Sequence, residues 1–122
     1  MVISVGHNNI DCKSYEDYSL GVDRVLSSSD AEIWISETGR ADEFPCLAIL
    51  INNDLAFINY FDGEKNLASV APSSDEGYIK FCGGAYEVRK DQIIPKDQAG
   101  FAIKEFYESC SPSDLIDWEV IA

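Results

Sequence analysis

Carboxylates are the side chains through which this sequence could most readily do chemistry. Twenty-two of its 122 residues are Asp or Glu, and three groups lie close together in the chain: Asp62 with Glu64, Asp75 with Glu76, and Asp114 with Asp117 and Glu119. Two carboxylates in different surroundings can divide acid and base roles between them. At this abundance such neighbours arise from composition alone, and carboxylates solvated in turns are the simpler reading. Nucleophile chemistry has less to draw on. The single histidine, His7, lies in a polar stretch, so any Ser-His or Cys-His arrangement would have to be built around it. It reads as an ordinary surface residue. Cys12, Cys46, Cys82 and Cys110 form no C-x-x-C pair and do not supply the clustered ligands of a zinc site. They read as reduced, buried thiols. Gly83-Gly84 has neither the further glycine nor the lysine of a phosphate-binding loop and reads as a structural turn. No catalytic residue, metal or cofactor is expected.

What distinguishes these carboxylates is their company. Tyr60 and Phe61 precede Asp62, Tyr78 and Tyr86 follow the Asp75-Glu76 stretch, and Trp118 sits between Asp117 and Glu119. Aromatic anchors with a charged rim are the composition of a protein-binding surface more than of a catalytic pocket. The candidate partner-binding residues are therefore Asp62, Glu64, Asp75, Glu76, Tyr78 and Tyr86. The formal net charge of −13 bears on the partner's identity. Nine basic residues scattered from Lys13 to Lys104 cannot concentrate the positive face that phosphate binding needs, so direct contact with nucleic acid or an anionic membrane is not expected. A basic protein is the better match, although acidity also serves solubility alone.

The elements that must position these residues can be read from periodicity. With 46% hydrophobic and 11% aromatic residues, the chain has the composition of a single globular domain spanning residues 1–122. Val2 to Val5 is expected to be a strand and Gly6 to Cys12 a loop. Ser14 is a candidate N-cap for a helix carrying Tyr15, Tyr18, Val22, Val25 and Leu26 on one stripe, ended by the serines at 27 to 29. Ile33-Trp34-Ile35 starts an extended region, followed by a polar loop over Thr38 to Glu43. Cys46 to Ile51 is continuously apolar, as a central strand covered on both faces would be, and pairs through an Asn52-Asn53-Asp54 turn with Leu55 to Phe61. Further strands are expected at Leu67 to Ala71, Tyr78 to Phe81 and Tyr86 to Val88, with a polar loop over Pro72 to Gly77. A second helix opens at Pro95 with Ala99, Ala102, Ile103, Phe106 and Tyr107 on its stripe, and stops before Pro112. Asp114 to Ile121 adds a last strand or lays Trp118 on the core. The fold class is α+β: a mainly antiparallel sheet with an N-terminal and a C-terminal helix packed against it.

Several of these features together resemble a known family. Phe44-Pro45-x-Leu47 leads into a hydrophobic strand, then come Asn53-Asp54-Leu55-Ala56, Tyr60-Phe61-Asp62-Gly63-Glu64 and the Gly83-Gly84 pair. Ile94-Pro95-Lys96-Asp97-Gln98-Ala99 opens the last helix, and Ser111-Pro112 precedes Trp118-Glu119. In this order and spacing, over residues 44–120, the chain resembles the deaminase-toxin-associated immunity proteins of bacterial polymorphic toxin systems, the first of the numbered immunity families. The N-terminal third matches only in its strand-helix-strand plan. The resemblance implies a non-enzymatic antitoxin that binds the C-terminal toxin domain of a cognate protein, commonly a nucleic-acid deaminase. The chain is not itself such a deaminase, because Pro45-Cys46 runs on into Leu-Ala-Ile with no second cysteine and no H-x-E occurs. A cytoplasmic location is expected, since the N-terminal residues lack a basic stretch followed by an apolar one; separately, the free protein is expected to be a monomer. Alternative readings are a nucleic-acid-mimicking inhibitor of a foreign nuclease, a small enzyme using a carboxylate pair, and a plain interaction module.

Overall fold

The computed structural model describes residues 1–40, 42–72 and 75–121. Among these residues ten strands and two α-helices form: β1 (Val2–Val5), β2 (Asn8–Asp11), α1 (Tyr15–Leu26), β3 (Asp30–Ser36), β4 (Cys46–Asn52), β5 (Leu55–Phe61), β6 (Asn66–Val70), β7 (Tyr78–Phe81), β8 (Tyr86–Arg89), β9 (Ile94–Pro95), α2 (Lys96–Ser109) and β10 (Asp117–Val120). Seven strands line up in the order β10-β6-β5-β4-β3-β1-β2, with β9 also pairing to β5, and β7-β8 make a separate hairpin. Every pairing is antiparallel. The expected α+β architecture is the one observed. Ala41 in the Thr38 to Glu43 loop, Ser73 and Ser74 in the Pro72 to Gly77 loop, and Ala122 lie outside the described residues.

Side chains alternate across a strand, so each strand of this sheet serves two environments. One face carries Ile3, Ile33, Ile35, Leu47, Ile49, Ile51, Ile58 and Tyr60, all buried under the helices with Tyr18, Val22, Ile103 and Phe106. Ser14 caps α1 as expected, its Oγ accepting from the Asp17 N–H at 3.1 Å. Gly21 sits where α1 crosses β1: a Cβ there would come within 3.0 Å of Ile3 Cδ1. The fully buried Tyr18 hydroxyl donates to the Ile103 carbonyl at 2.6 Å and ties the two helices together. Burial pushes that phenol far above its ordinary range, so the hydroxyl remains a donor at any working pH. Among the described residues no helix is long and apolar enough to cross a membrane.

The opposite face is covered only in part. After β6 the chain leaves the sheet, folds the β7-β8 hairpin across that face, and returns at β9. Phe81 and Val88 of the hairpin close a second apolar cluster with Leu50, Phe57, Ala68 and Ile93. Polar ties fix its position: the Cys82 N–H donates to Asp30 at 3.0 Å, Asn52 Nδ2 donates to the Lys80 carbonyl at 2.9 Å, and Arg89 reaches Glu119 at 2.8 Å. Where β6 peels away, the Ile58 N–H has no strand partner. Ser69, itself fully buried, accepts that N–H at 3.1 Å and donates to the Gln92 carbonyl at 2.7 Å. A Ser69→Ala substitution strands both backbone groups and is expected to cost about 1–3 kcal/mol, read as a lowered urea midpoint at unchanged slope.

Two local outcomes differ from the sequence expectation. Residues 8 to 11 are a strand and not part of a loop: Gly6, at φ 59°, and His7 make a two-residue turn that returns the chain onto β1. This edge strand keeps its polar side chains in solvent and so leaves no apolar alternation to read. Pro95 lies one position earlier than a first helical residue, extended beside Leu55 in the sheet, with α2 starting at Lys96.

Candidate binding face

The uncovered half of the second face is the most distinctive surface of the molecule. Ile33 and Ile35 point into the helix-side core, so alternation turns Glu32 and Trp34 outward. Register then sets Trp34 beside Ala48 of β4, which is beside Asn59 of β5, while Glu32 lies in the row of Leu50 and Phe57. Phe61 stacks against Trp34 with ring centroids 6.3 Å apart and an interplanar angle of 16°. Trp34 is nonetheless 45% exposed. Between this pair and β8 runs an open groove of about 300 Å³, floored by Ala48, Leu50 and Phe57 and walled by Tyr86, Glu87 and Val88. On the other side of Trp34 a second hollow of about 330 Å³ reaches Ser4, Ser36 and Arg40. The indole is thus a ridge between two concavities on one face.

The residues singled out in the sequence fall at three places. Tyr86 lines the groove, 43% exposed, and its hydrogen bond to the Glu32 carboxylate and the charge of that carboxylate push its phenol up. Asp62 and Glu64 form the β5-β6 turn, directly beyond Phe61 and beside Phe44, which packs over Gly63. Asp62 has a structural task there: its Oδ1 accepts the Glu64 N–H at 2.9 Å and the Lys65 N–H at 2.6 Å, and these bonds hold its carboxyl below the usual range. Asp75, Glu76 and Tyr78 lie elsewhere. Asp75 borders Leu55 and Pro95, at the opposite end of β5 from Asp62. Seven residues of strand separate the two ends, about 20 Å. Tyr78 pairs with Arg89 and Tyr86 with Phe81, so the two tyrosines stand at opposite ends of the hairpin. The structure therefore brings Asp62, Glu64 and Tyr86 to the borders of one face and leaves Asp75, Glu76 and Tyr78 at the far end.

Sequence reasoning missed Trp34 and Glu32. Their signal was present in the alternation of Glu32-Ile33-Trp34-Ile35, which puts an aromatic and an acid on the side away from two isoleucines. The third carboxylate group is partly committed to the fold, because Glu119 accepts from Arg89 and from Gln92, each at 2.8 Å. The four cysteines are free; Cys12 and Cys46 are buried as expected, whereas Cys82 and Cys110 are only half-buried, and loss of solvent pushes each thiol above its ordinary value, which makes each a poor nucleophile. Among the described residues no three His, Cys, Asp or Glu side chains converge as metal ligands would.

Comparison with known proteins agrees with the family resemblance. A curated double-stranded DNA deaminase immunity protein of Burkholderia cenocepacia (strain H111) is 32% identical over 79 residues, 62% of this chain. The match spans 64% of that relative, a little under two thirds of its length. The family model for immunity protein Imm1 covers residues 6–120, from the turn between β1 and β2 to the last residue of β10. A match across nearly every element of the sheet and both helices places the chain in one family: it belongs to the Imm1 immunity proteins.

Proposed function

We propose that the protein is an antitoxin that binds the C-terminal domain of a cognate polymorphic toxin, a nucleic-acid deaminase, and covers its basic substrate groove with an acidic surface. The observation that carries this reading is the family match over residues 6–120, joined to the name of the Burkholderia relative. The net charge of −13 supports it physically. An enzyme that acts on nucleic acid needs a positive groove for its phosphates, and an acidic partner is attracted to that groove at long range. Action is by occupancy and not by turnover: of the acids singled out in the sequence, Asp62 and Asp75 stand at opposite ends of β5 and do not converge as an acid–base pair would. Asp62, Glu64 and Tyr86 border the contact face, whereas Asp75, Glu76 and Tyr78 extend the negative field beyond it. The antitoxin works as a monomer in the cytoplasm of the producing cell, where the toxin's substrate lies.

Co-expression tests the reading directly. Cells producing the toxin domain encoded beside this gene are expected to stop growing and accumulate deaminated bases, and to be rescued by this chain. Unrelieved toxicity would reject it. In stopped-flow mixing, the association rate is expected to fall roughly 10- to 100-fold between low and high salt. An ionic-strength-independent rate would remove steering from the account.

A further inference from the structure

Resting on the antitoxin reading above, we propose that the groove between Trp34 and β8 is the docking site for an arginine-bearing segment of the toxin. In this arrangement the guanidinium lies against the indole of Trp34 and the ring of Tyr86 and pairs with Glu32 and Glu87. Four observations converge on this occupant. The groove is floored by apolar side chains and flanked by two half-exposed aromatics. Two acidic residues line it from different elements, Glu32 from β3, beside the Tyr86 hydroxyl, and Glu87 from β8, the cross-strand neighbour of Lys80, and among the described residues neither lies within ion-pair distance of a lysine or arginine. The acids that do form pairs are others: Asp11 with Lys13, Asp42 with Arg40 beyond the far side of Trp34, Asp23 with Lys104 on the helical layer, and Asp91 and Glu119 with Arg89. Finally, the excess of acid over base makes a cationic visitor the favoured one.

The chemistry selects guanidinium over ammonium and over other ligands. Arginine is planar and weakly hydrated, so it can stack on an aromatic face while its N–H fork meets carboxylates, whereas lysine presents a strongly hydrated point charge. A phosphate-bearing ligand would meet two carboxylates and be repelled. A volume of about 300 Å³, open along its length, suits the tip of a loop. Trp34 is then the anchor expected at the centre of such an interface, with carboxylates around it.

The test uses the full chain and the purified toxin domain, with affinity measured by calorimetry. Trp34→Ala is expected to weaken binding about 100-fold or more, and Glu32→Gln and Glu87→Gln about tenfold each with a shallower salt dependence. Glu87→Lys, at an exposed strand position, should weaken it further and guards against any folding defect in the tryptophan variant. Leu20→Ala and Phe101→Ala, exposed on the helical layer, should bind as the wild type does. Trp34 emission, isolated in a Trp118→Phe background, should change on complex formation. Pretreating the toxin with an arginine-selective dicarbonyl should weaken wild-type binding but add little to the Trp34→Ala loss, since both remove one contact. Full affinity in Trp34→Ala and Glu87→Lys, or a loss confined to the Leu20 and Phe101 variants, would overturn the docking site while leaving the antitoxin reading intact. Failure of the wild-type chain to bind the toxin domain would overturn both.

Discussion

Replacing Phe106 with alanine is expected to lower the unfolding free energy by about 3–5 kcal/mol. Phe106 is 1% exposed, meets Tyr60 edge to face with ring centroids 6.4 Å apart, and belongs to the cluster that joins α2 to the sheet. Its removal leaves a cavity bounded on one side by a continuous sheet and on the other by a helix already fixed through Ile103 and Tyr18. Neither wall can collapse far. Against a total stability of about 5–15 kcal/mol for a domain, that is about a fifth at the least, and the urea midpoint should fall accordingly at constant slope. A shift equivalent to less than about 1 kcal/mol would mean that α2 is not seated on β5 through this ring.

Phe81→Ala should cost a comparable amount but show it differently. Phe81 is equally buried, yet it sits in the smaller cluster on the opposite face, where Val88 is the hairpin's other buried contributor. Other ties are the Asn52 and Asp30 hydrogen bonds and the Tyr86–Glu32 contact near the hairpin's turn, and at its open end the Arg89–Glu119 ion pair, which is solvent-accessible and so worth little. Removing the ring should let the hairpin open without the sheet. Hydrogen exchange should then report faster exchange of the amides in β7 and β8 while those of β4 and β5 keep their protection. Uniform loss of protection in all four strands would show instead that the hairpin and sheet unfold as one unit. The same opening would remove one wall of the Trp34 groove.

These two phenylalanines also mark how far the sequence could be read. Phe106 stood on a helical stripe with Ala99, Ala102 and Ile103, and the α2 face it predicts is the buried one. The Ser14 cap, the α1 stripe and the β4-β5 hairpin were legible for the same reason: short-range periodicity records which side of an element is covered. Phe81 was readable as a strand residue, but nothing local tells which face of a distant sheet it will cover. That depends on register, which places Leu50 beside Phe57 where Phe81 can reach both. Edge strand β2 escaped notice because its side chains bury little. The candidate face was half legible. Asp62, Glu64 and Phe61 are neighbours in sequence and in space, but Asp75 and Tyr86 only flank a common stretch of chain. The antiparallel hairpin then carries them to different ends. Trp34 and Glu32 meet Tyr86 solely through the fold.

The strand order has a kinetic corollary. β3, β4, β5 and β6 are consecutive in both sequence and space, and the β4-β5 and β5-β6 turns are short. Their pairing therefore needs little loop-closure entropy, and contacts local in sequence form fast. β1 must instead wait for α1 to be bridged before it meets β3, and β10 must travel back past α2 to reach β6. Trp34, Ala48 and Phe61 all belong to the early group. The floor and aromatic ridge of the proposed docking groove are thus carried by the strands able to assemble first, and its β8 wall is added only after the chain has left the sheet.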